Sequence, residues 1–139
     1  MTYVLDSNFL FALTFEKDRH FDRAYEIIEQ LREDNISSLI TTNLVLQETL
    51  TLVVARFHGS TYHLDKISKL FWGENNFFQI TYITQNEYIK IYEILAQYTT
   101  EKRLLSSVDA SLIYLFKKFN ASKIISFDSH FDTIISRIF

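Results

Sequence analysis

The chain has 139 residues, of which 47% are hydrophobic and 22% are charged, and its formal net charge is −3. This composition is that of a globular protein with its own core, and we expect one domain over residues 1–139. There is no cysteine, no proline and only two glycines. These counts exclude disulfide scaffolds, thiolate metal sites and Gly-rich phosphate loops, and the acidic balance excludes nucleic-acid binding through bulk positive charge.

The apolar segments are too short for a membrane span. None reaches the roughly 18 residues that a span needs. The first apolar stretch lacks the basic start of a signal peptide and is interrupted by Asp6. We therefore expect a cytoplasmic protein that has no contact with a membrane.

Strands and helices alternate along the predicted chain. In order, the patterns predict a strand at 2–5, a helix at 20–33, a strand at 37–40, helices at 43–57 and 62–72, a strand at 77–83, helices at 87–98 and 107–119, and a strand at 123–127. A short last strand is predicted near Ile138. Such alternation predicts an α/β fold with a mostly parallel sheet.

Two acidic residues directly follow predicted strands. Asp6 comes after the strand at 2–5, and Asp128 comes after the strand at 123–127. In parallel α/β sheets, binding sites form beyond the carboxyl ends of the strands. Both acids are therefore placed where a site is expected.

Two further acids lie on apolar helix faces. Glu48 is four residues from both Leu44 and Leu52, and Asp109 shares its face with Leu112. An inward-pointing carboxylate without a partner is costly, and no basic residue is suitably placed nearby. A hard divalent cation such as Mg²⁺ or Mn²⁺ would compensate, because these ions prefer carboxylate oxygens.

Each acid also has an ordinary structural role open to it. These roles are an Asx-turn for Asp6, an ion pair with Arg56 for Glu48, a capping box with Ser106 for Asp109, and the start of a turn for Asp128. The combination of all four acids in one small α/β chain is what favours a metal site.

Four segments resemble, in order, the four motifs of the PIN-domain family. They are residues 4–10, 41–48, 106–110 and 124–131, and each contains one of the four acids. The resemblance covers nearly the whole chain and implies a three-layer α/β/α fold around a mostly parallel sheet. It also implies a ribonuclease dependent on Mg²⁺ or Mn²⁺. Small members of the family are commonly VapC-type toxins that an antitoxin encoded alongside neutralises, and they are often homodimers.

The resemblance also implies roles for individual residues. Catalysis and metal binding are assigned to four acids: Asp6, Glu48, Asp109 and Asp128. Ser7 or Asn8 would orient Asp6 or a water molecule. The family often has Thr where Ser126 stands, which keeps a hydroxyl group at that position.

Other interpretations remain open from the sequence. Arg103 precedes Asp109 closely and would contact an RNA phosphate, or else it lies on a solvated loop. The alternatives to a toxin are a housekeeping RNA-processing nuclease and a non-catalytic interaction module. A phosphohydrolase of the haloacid dehalogenase type is disfavoured because Asn8 stands where that class needs its second Asp. The four histidines do not have zinc-site spacing, although His130 is only two residues from Asp128.

Overall fold

The centre of the protein is a five-stranded parallel sheet. The computed structural model describes residues 1–35, 38–74 and 76–139. The strands are β1 (Thr2–Leu5), β2 (Ser38–Thr42), β3 (Gln79–Thr81), β4 (Lys123–Ile125) and β5 (Arg137–Ile138). They are arranged in the order β3-β2-β1-β4-β5, and every adjacent pair is parallel. The predicted α/β class with a mostly parallel sheet is confirmed.

Six α-helices surround this sheet in the part of the chain that the structure describes. They are α1 (Ser7–Thr14), α2 (Phe21–Glu33), α3 (Asn43–Arg56), α4 (Thr61–Trp72), α5 (Tyr88–Tyr98) and α6 (Ser107–Lys118). Helices α1 to α4 pack against one another, whereas α5 packs on α6, which lies against β1, β2 and β4. The result is the expected three-layer α/β/α arrangement. No helix among the described residues has the length and apolar character that a membrane crossing needs.

The predicted elements agree with the structure except at a few ends and at one helix. The strand predicted at 77–83 spans only Gln79–Thr81, and the strand predicted at 123–127 ends at Ile125. Ser37, the predicted start of the second strand, lies outside the described residues. Helix α1 was not predicted at all. It is short and apolar on nearly all sides, so it lacks the polar face that marks an amphipathic helix.

The strand order reverses between β1 and β4, and this reversal positions the site. From β1 the chain builds β2 and β3 on one side and then returns to add β4 and β5 on the other. Leu5 and Ile125 are paired in register, and the Asp6 N–H donates to the carbonyl of Ile125 at 3.1 Å. The first residues beyond β1 and β4 are therefore neighbours at the switch point where α/β sheets bind ligands.

Candidate active site

Asp6 is the most buried of the four acids. It follows β1, caps the N-terminus of α1 and is only 2% exposed. One carboxylate oxygen accepts the Ser7 N–H at 2.7 Å, and the other accepts the Ser126 hydroxyl at 2.6 Å and the Asn8 amide at 3.1 Å. The Asx-type role considered from the sequence is thus present, but it uses only one of the two oxygens.

A clamp of Asn8 and Ser126 fixes the orientation of Asp6. The Asn8 carbonyl oxygen accepts the backbone N–H of Phe127 at 3.0 Å, so its amide nitrogen must point toward Asp6 and the Ser126 hydroxyl oxygen. That hydroxyl oxygen also accepts the backbone N–H of Asp128 at 3.0 Å. The clamp therefore joins the ends of β1 and β4 through side chains of both segments.

Glu48 reaches the same place from α3. Its carboxylate accepts the Ser7 hydroxyl at 2.5 Å, and the Ser7 oxygen is also 3.3 Å from Asp6. Glu48 makes no ion pair with Arg56, whose guanidinium instead lies over the ring of Phe11, 5.1 Å from its centroid. The Ser7 hydroxyl is therefore the direct connection between two of the acids.

Asp109 has the predicted capping role and also faces the other acids. Its carboxylate accepts the Ser106 N–H at 2.9 Å, and the Ser106 hydroxyl accepts the Asp109 N–H at 3.0 Å. This is a complete capping box at the start of α6. The Ser106 N–H bond is made to Oδ2 of Asp109, and the charge of Asp128 acts on the same carboxylate, so capping does not remove Asp109 from the other acids.

Asp128 begins a single 3₁₀ turn, Ser129–Phe131, and is close to a histidine. One of its oxygens accepts the His130 N–H at 2.9 Å, as the turn interpretation requires. The imidazole Nδ1 of His130 is 3.3 Å from the other Asp128 oxygen and 3.6 Å from Asp109. This Nδ1 is buried without a hydrogen-bond partner among the described residues.

The four carboxylates interact electrostatically. We call them the acidic cluster: Asp6, Glu48, Asp109 and Asp128. The repulsive charges of Asp109 and Glu48 act on Asp6, those of Asp109 and Asp128 act on Glu48, and that of Asp128 acts on Asp109. The cluster therefore gathers acids from the ends of β1 and β4 and from helices α3 and α6.

Burial and this repulsion raise the pKa values of three of the acids. Burial is the largest cause, and together with the charges of Asp109 and Glu48 it raises the pKa of Asp6 to about 7, against the opposing hydrogen bonds from Ser126 and Ser7. Burial likewise raises the pKa values of Glu48 and Asp109, which their bonds to Ser7 and Ser106 partly oppose. The fold therefore disfavours the ionised forms of these three acids.

No lysine or arginine in the described ranges forms an ion pair with the cluster; His130 is its one basic neighbour there. The donor set of carboxylate oxygens fits a hard divalent cation. Within residues 1–35, 38–74 and 76–139, however, no three Asp, Glu or His side chains are already grouped tightly enough to hold an ion. The cluster supplies suitable ligands, and binding requires them to move closer together.

Comparison with known proteins identifies the fold family. The profile of the PIN domain matches residues 3–135, which is nearly the entire chain. The chain belongs to the PIN-domain family. Membership of the PIN family supports a nuclease activity for the chain. PIN nucleases generally use divalent metal ions. No protein of curated function matches the chain.

Solved structures share the PIN fold at low sequence identity. VapC20 from Mycobacterium tuberculosis, a Sarcin-Ricin loop cleaving toxin, is 20% identical with a TM-score of 0.72, over 91% of this chain and 90% of that one. VapBC2 from Rickettsia felis, bound to a DNA fragment from their promoter, is 16% identical with a TM-score of 0.71, over 99% and 98%. PAE2754 from Pyrobaculum aerophilum is 15% identical with a TM-score of 0.54, over 94% and 82%. At these identities the likeness shows a shared fold.

Arg103 is not among the side chains that contact the acidic cluster. Its guanidinium donates to the carbonyl of Tyr98 at 3.1 Å and to the hydroxyl of Thr133 at 3.1 Å, with a longer bond to the carbonyl of Asp132. These bonds tie the loop before α6 to the segment after the 3₁₀ turn. The phosphate contact considered from the sequence stays a prediction, and it would compete with this structural role.

Ser126 has a larger structural role in this PIN domain than its sequence signal suggested. Replacing it with Ala removes a donor to Asp6 and an acceptor for Asn8 and the Asp128 N–H. We expect Ser126→Ala to lower the free energy of unfolding by about 1–3 kcal/mol, because buried polar groups lose their partners. Ser126→Thr is the matched control, because it keeps the hydroxyl. Urea unfolding at pH 7 measures both, and equal midpoints for the two variants would contradict the prediction.

Proposed function

We propose that this PIN-domain protein is a metal-dependent endoribonuclease and the toxin of a type II toxin–antitoxin pair. The observation that carries the proposal is the acidic cluster: four carboxylates that repel one another at the switch point of the sheet, without lysine or arginine partners among the described residues. Such a cluster is costly unless a cation neutralises it. Divalent cations that prefer carboxylate oxygens are Mg²⁺ and Mn²⁺.

All four acids are proposed as catalytic residues and as metal ligands. Among the described residues Glu48 accepts a hydrogen bond only from Ser7, on one oxygen, so its other oxygen is the most available to an ion. Asp6 already accepts donors on both oxygens, so Ser7, Asn8 and Ser126 set its orientation. When bound, Mg²⁺ or Mn²⁺ supplies a Lewis acid for the scissile phosphate and lowers the pKa of water.

The reaction proposed is hydrolysis of an RNA phosphodiester. A water molecule attacks phosphorus in line with the leaving 3′-oxygen, and one of the acids accepts the proton that the water loses. The phosphorus–3′-oxygen bond breaks and the leaving oxygen takes a proton from solvent water, which leaves a 5′-phosphate and a 3′-hydroxyl. The pKa of Asp6, raised to about 7 in the metal-free protein, suits proton transfer near neutral pH, because a base works best when its pKa is close to the working pH.

The assignment as a toxin rests on the family and on its structural neighbours. Two of the chains with the same fold are VapC20, a toxin, and VapBC2, and their lengths match this chain almost completely. We accordingly propose an antitoxin encoded alongside as the partner and RNA as the substrate. The homodimer and the cytoplasmic location that the sequence predicts stay predictions.

Cleavage in the presence and absence of metal tests the nuclease. The purified protein should cut RNA with Mg²⁺ or Mn²⁺ and should not cut it in EDTA. Its products should be degraded by an exonuclease that requires a 5′-phosphate, which checks the direction of bond breaking. Intact RNA with both metals would contradict the proposal and would favour a non-catalytic module.

Growth on induction separates a toxin from a processing nuclease. Expression of the chain alone should arrest growth, and co-expression of the small neighbouring reading frame should restore it. Cleavage in vitro without growth arrest would assign the chain to RNA processing.

A further inference from the structure

A cavity opens directly beside the acidic cluster. Its volume is about 640 Å³, which is within the range of small-ligand sites. Asn8 of the clamp and Asp128 of the acidic cluster are among its lining residues. Apolar side chains that include Phe11 and Leu52 form part of its wall. A ligand in this cavity would therefore lie next to the proposed reaction centre.

The cavity is lined by basic side chains that are not neutralised. Lys17, Arg19 and Arg56 line it, and none of them forms an ion pair with the described residues. Elsewhere on the described surface, six basic side chains are paired with acids: Arg23, Arg32, Lys69, Lys90, Lys118 and Arg137. One acid of the cavity, Asp18, already accepts the His20 N–H at 2.8 Å. Of the 14 lysines and arginines, six are thus paired with acids among the described residues and eight are not, and three of those eight line this one cavity next to the acidic cluster.

Aromatic rings and a guanidinium group also line the cavity. The rings of His20 and Phe127 are stacked with centroids 4.2 Å apart and an angle of 6° between their planes. The guanidinium of Arg56 lies over the ring of Phe11. Aromatic and guanidinium planes are the surfaces on which proteins stack the unpaired bases of single-stranded RNA.

We propose that this cavity binds one unpaired nucleotide of the RNA strand, next to the scissile phosphate. Its phosphate lies among Lys17, Arg19 and Arg56, and its base lies against the wall that His20 and Phe127 form. This inference rests on the proposed function, and it adds which side chains hold the phosphate and the base of the nucleotide beside the cut. An acidic protein segment would use the cations but would have no use for the stacked wall.

Binding without cleavage tests the cations. In EDTA, fluorescence anisotropy would follow a short labelled single-stranded RNA with the wild-type protein and with Lys17→Gln/Arg56→Gln. We expect the Kd of this variant to rise about tenfold, and the slope of log K against log[salt] to fall by about 1.4, since each contact to a single strand contributes roughly 0.7.

The matched control removes the same charge elsewhere. Lys90→Gln/Lys123→Gln changes α5 and the start of β4, at the end of that strand opposite Asp128. Its Kd and salt slope should equal those of the wild type. Thermal melts would show that both double variants are folded. Equal RNA affinity in the two double variants would overturn the proposal, and lost binding of poly-glutamate with RNA affinity intact would assign the cavity to an acidic protein partner instead.

Comparing RNA with an abasic strand and with a duplex tests whether a base stacks on the wall that His20 and Phe127 form. The wild type should bind the RNA at least about fivefold more tightly than an abasic strand of equal length or a duplex of the same sequence. His20→Ala should weaken RNA binding by a similar factor and leave the abasic strand unaffected. Equal affinity of the wild type for the RNA and the abasic strand would overturn the proposal.

Cleavage assays on the same variants distinguish this inference from the proposed function. With Mn²⁺, the cavity variant Lys17→Gln/Arg56→Gln should show a raised KM for RNA, whereas Lys90→Gln/Lys123→Gln should cut RNA like the wild type. Normal cleavage by the cavity variant, together with normal binding, would overturn only the inference. RNA binding that depends on the cavity, without cleavage by the wild type, would overturn only the nuclease proposal.

Discussion

Replacing Asp6 with Asn should lower the rate of metal-dependent RNA cleavage by about 10³-fold or more. The substitution removes a charge from the centre of the acidic cluster and weakens its hold on a divalent cation. Such an ion contributes several kcal/mol of transition-state stabilisation, and each 1.4 kcal/mol corresponds to a factor of ten in rate. Cleavage of labelled RNA under single-turnover conditions with saturating Mn²⁺ measures the loss. Glu48→Gln, Asp109→Asn and Asp128→Asn should act in the same direction.

The fold should survive this substitution, so the loss reports on chemistry. The oxygen of an Asn side chain can still accept the Ser7 N–H and cap α1. The bond from the Ser126 hydroxyl is lost, because the Ser126 oxygen already accepts from the Asn8 amide and the Asp128 N–H. The remaining conflict is with the Asn8 amide, which now faces a second donor. Removal of a buried charge offsets that conflict, because burial already disfavours the ionised form.

A matched substitution and a melt complete this test. Asp22→Asn makes the same chemical change at an exposed position of α2 and should leave cleavage at the wild-type rate. Circular dichroism and thermal melts of both variants check that they are folded. If folded Asp6→Asn protein cuts RNA as fast as Asp22→Asn protein, the acidic cluster is not the reaction centre.

The positions of the acids were open to prediction because strand ends and helix faces are local patterns. Asp6 and Asp128 follow apolar strands, and parallel strands bring their carboxyl ends to one edge of the sheet. Glu48 and Asp109 interrupt apolar helix faces, so a site or a cap had to explain them. Asp109 caps α6 and also feels the charge of Asp128, so the cap is confirmed while its part in a site stays a prediction.

The other features depend on tertiary contacts, which no local pattern shows. The clamp between Asn8 and Ser126 joins residues 118 positions apart, and only the register of β1 with β4 brings them together. The cavity likewise combines the loop that contains Lys17 with the end of α3 and the turn after β4. Helix α1 was missed for a different reason: burial on nearly all sides removes the amphipathic periodicity by which helices are found.

The metal-free protein should become less stable as the pH rises from 5 to 8. The pKa of Asp6 is about 7 in the fold and 3.8 for a free aspartate side chain, so over this range the folded state holds a proton that the unfolded state has released. Stability then falls by about 1.4 kcal/mol per pH unit until the pH passes about 7, a loss of roughly 3 kcal/mol above pH 5. The raised pKa values of Glu48 and Asp109 act in the same direction.

Thermal melts in EDTA measure this dependence. A loss of this size lowers the Tm of a domain of this length by on the order of 10 °C. Glu87, whose pKa is lowered to about 2, contributes its pH dependence below this window and does not confuse the comparison. Asp6→Asn should flatten the curve, whereas Asp22→Asn should keep its slope. Equal melting temperatures for the metal-free wild type at pH 5 and pH 8 would show that Asp6 is not a buried charge in solution.

A bound metal ion should oppose the loss of stability at high pH, because a divalent cation binds the ionised acidic cluster and not the protonated one. At pH 8, Mn²⁺ at about 100 times its Kd should stabilise the protein by about 2.7 kcal/mol, whereas at pH 5 protons compete with the ion and the gain should be small. Asp6→Asn should reduce the gain at pH 8, while Asp22→Asn should not. An equal rise in Tm at both pH values would mean that the ion binds elsewhere on the surface. Because the melt contains no RNA, it tests the metal site independently of any cleavage.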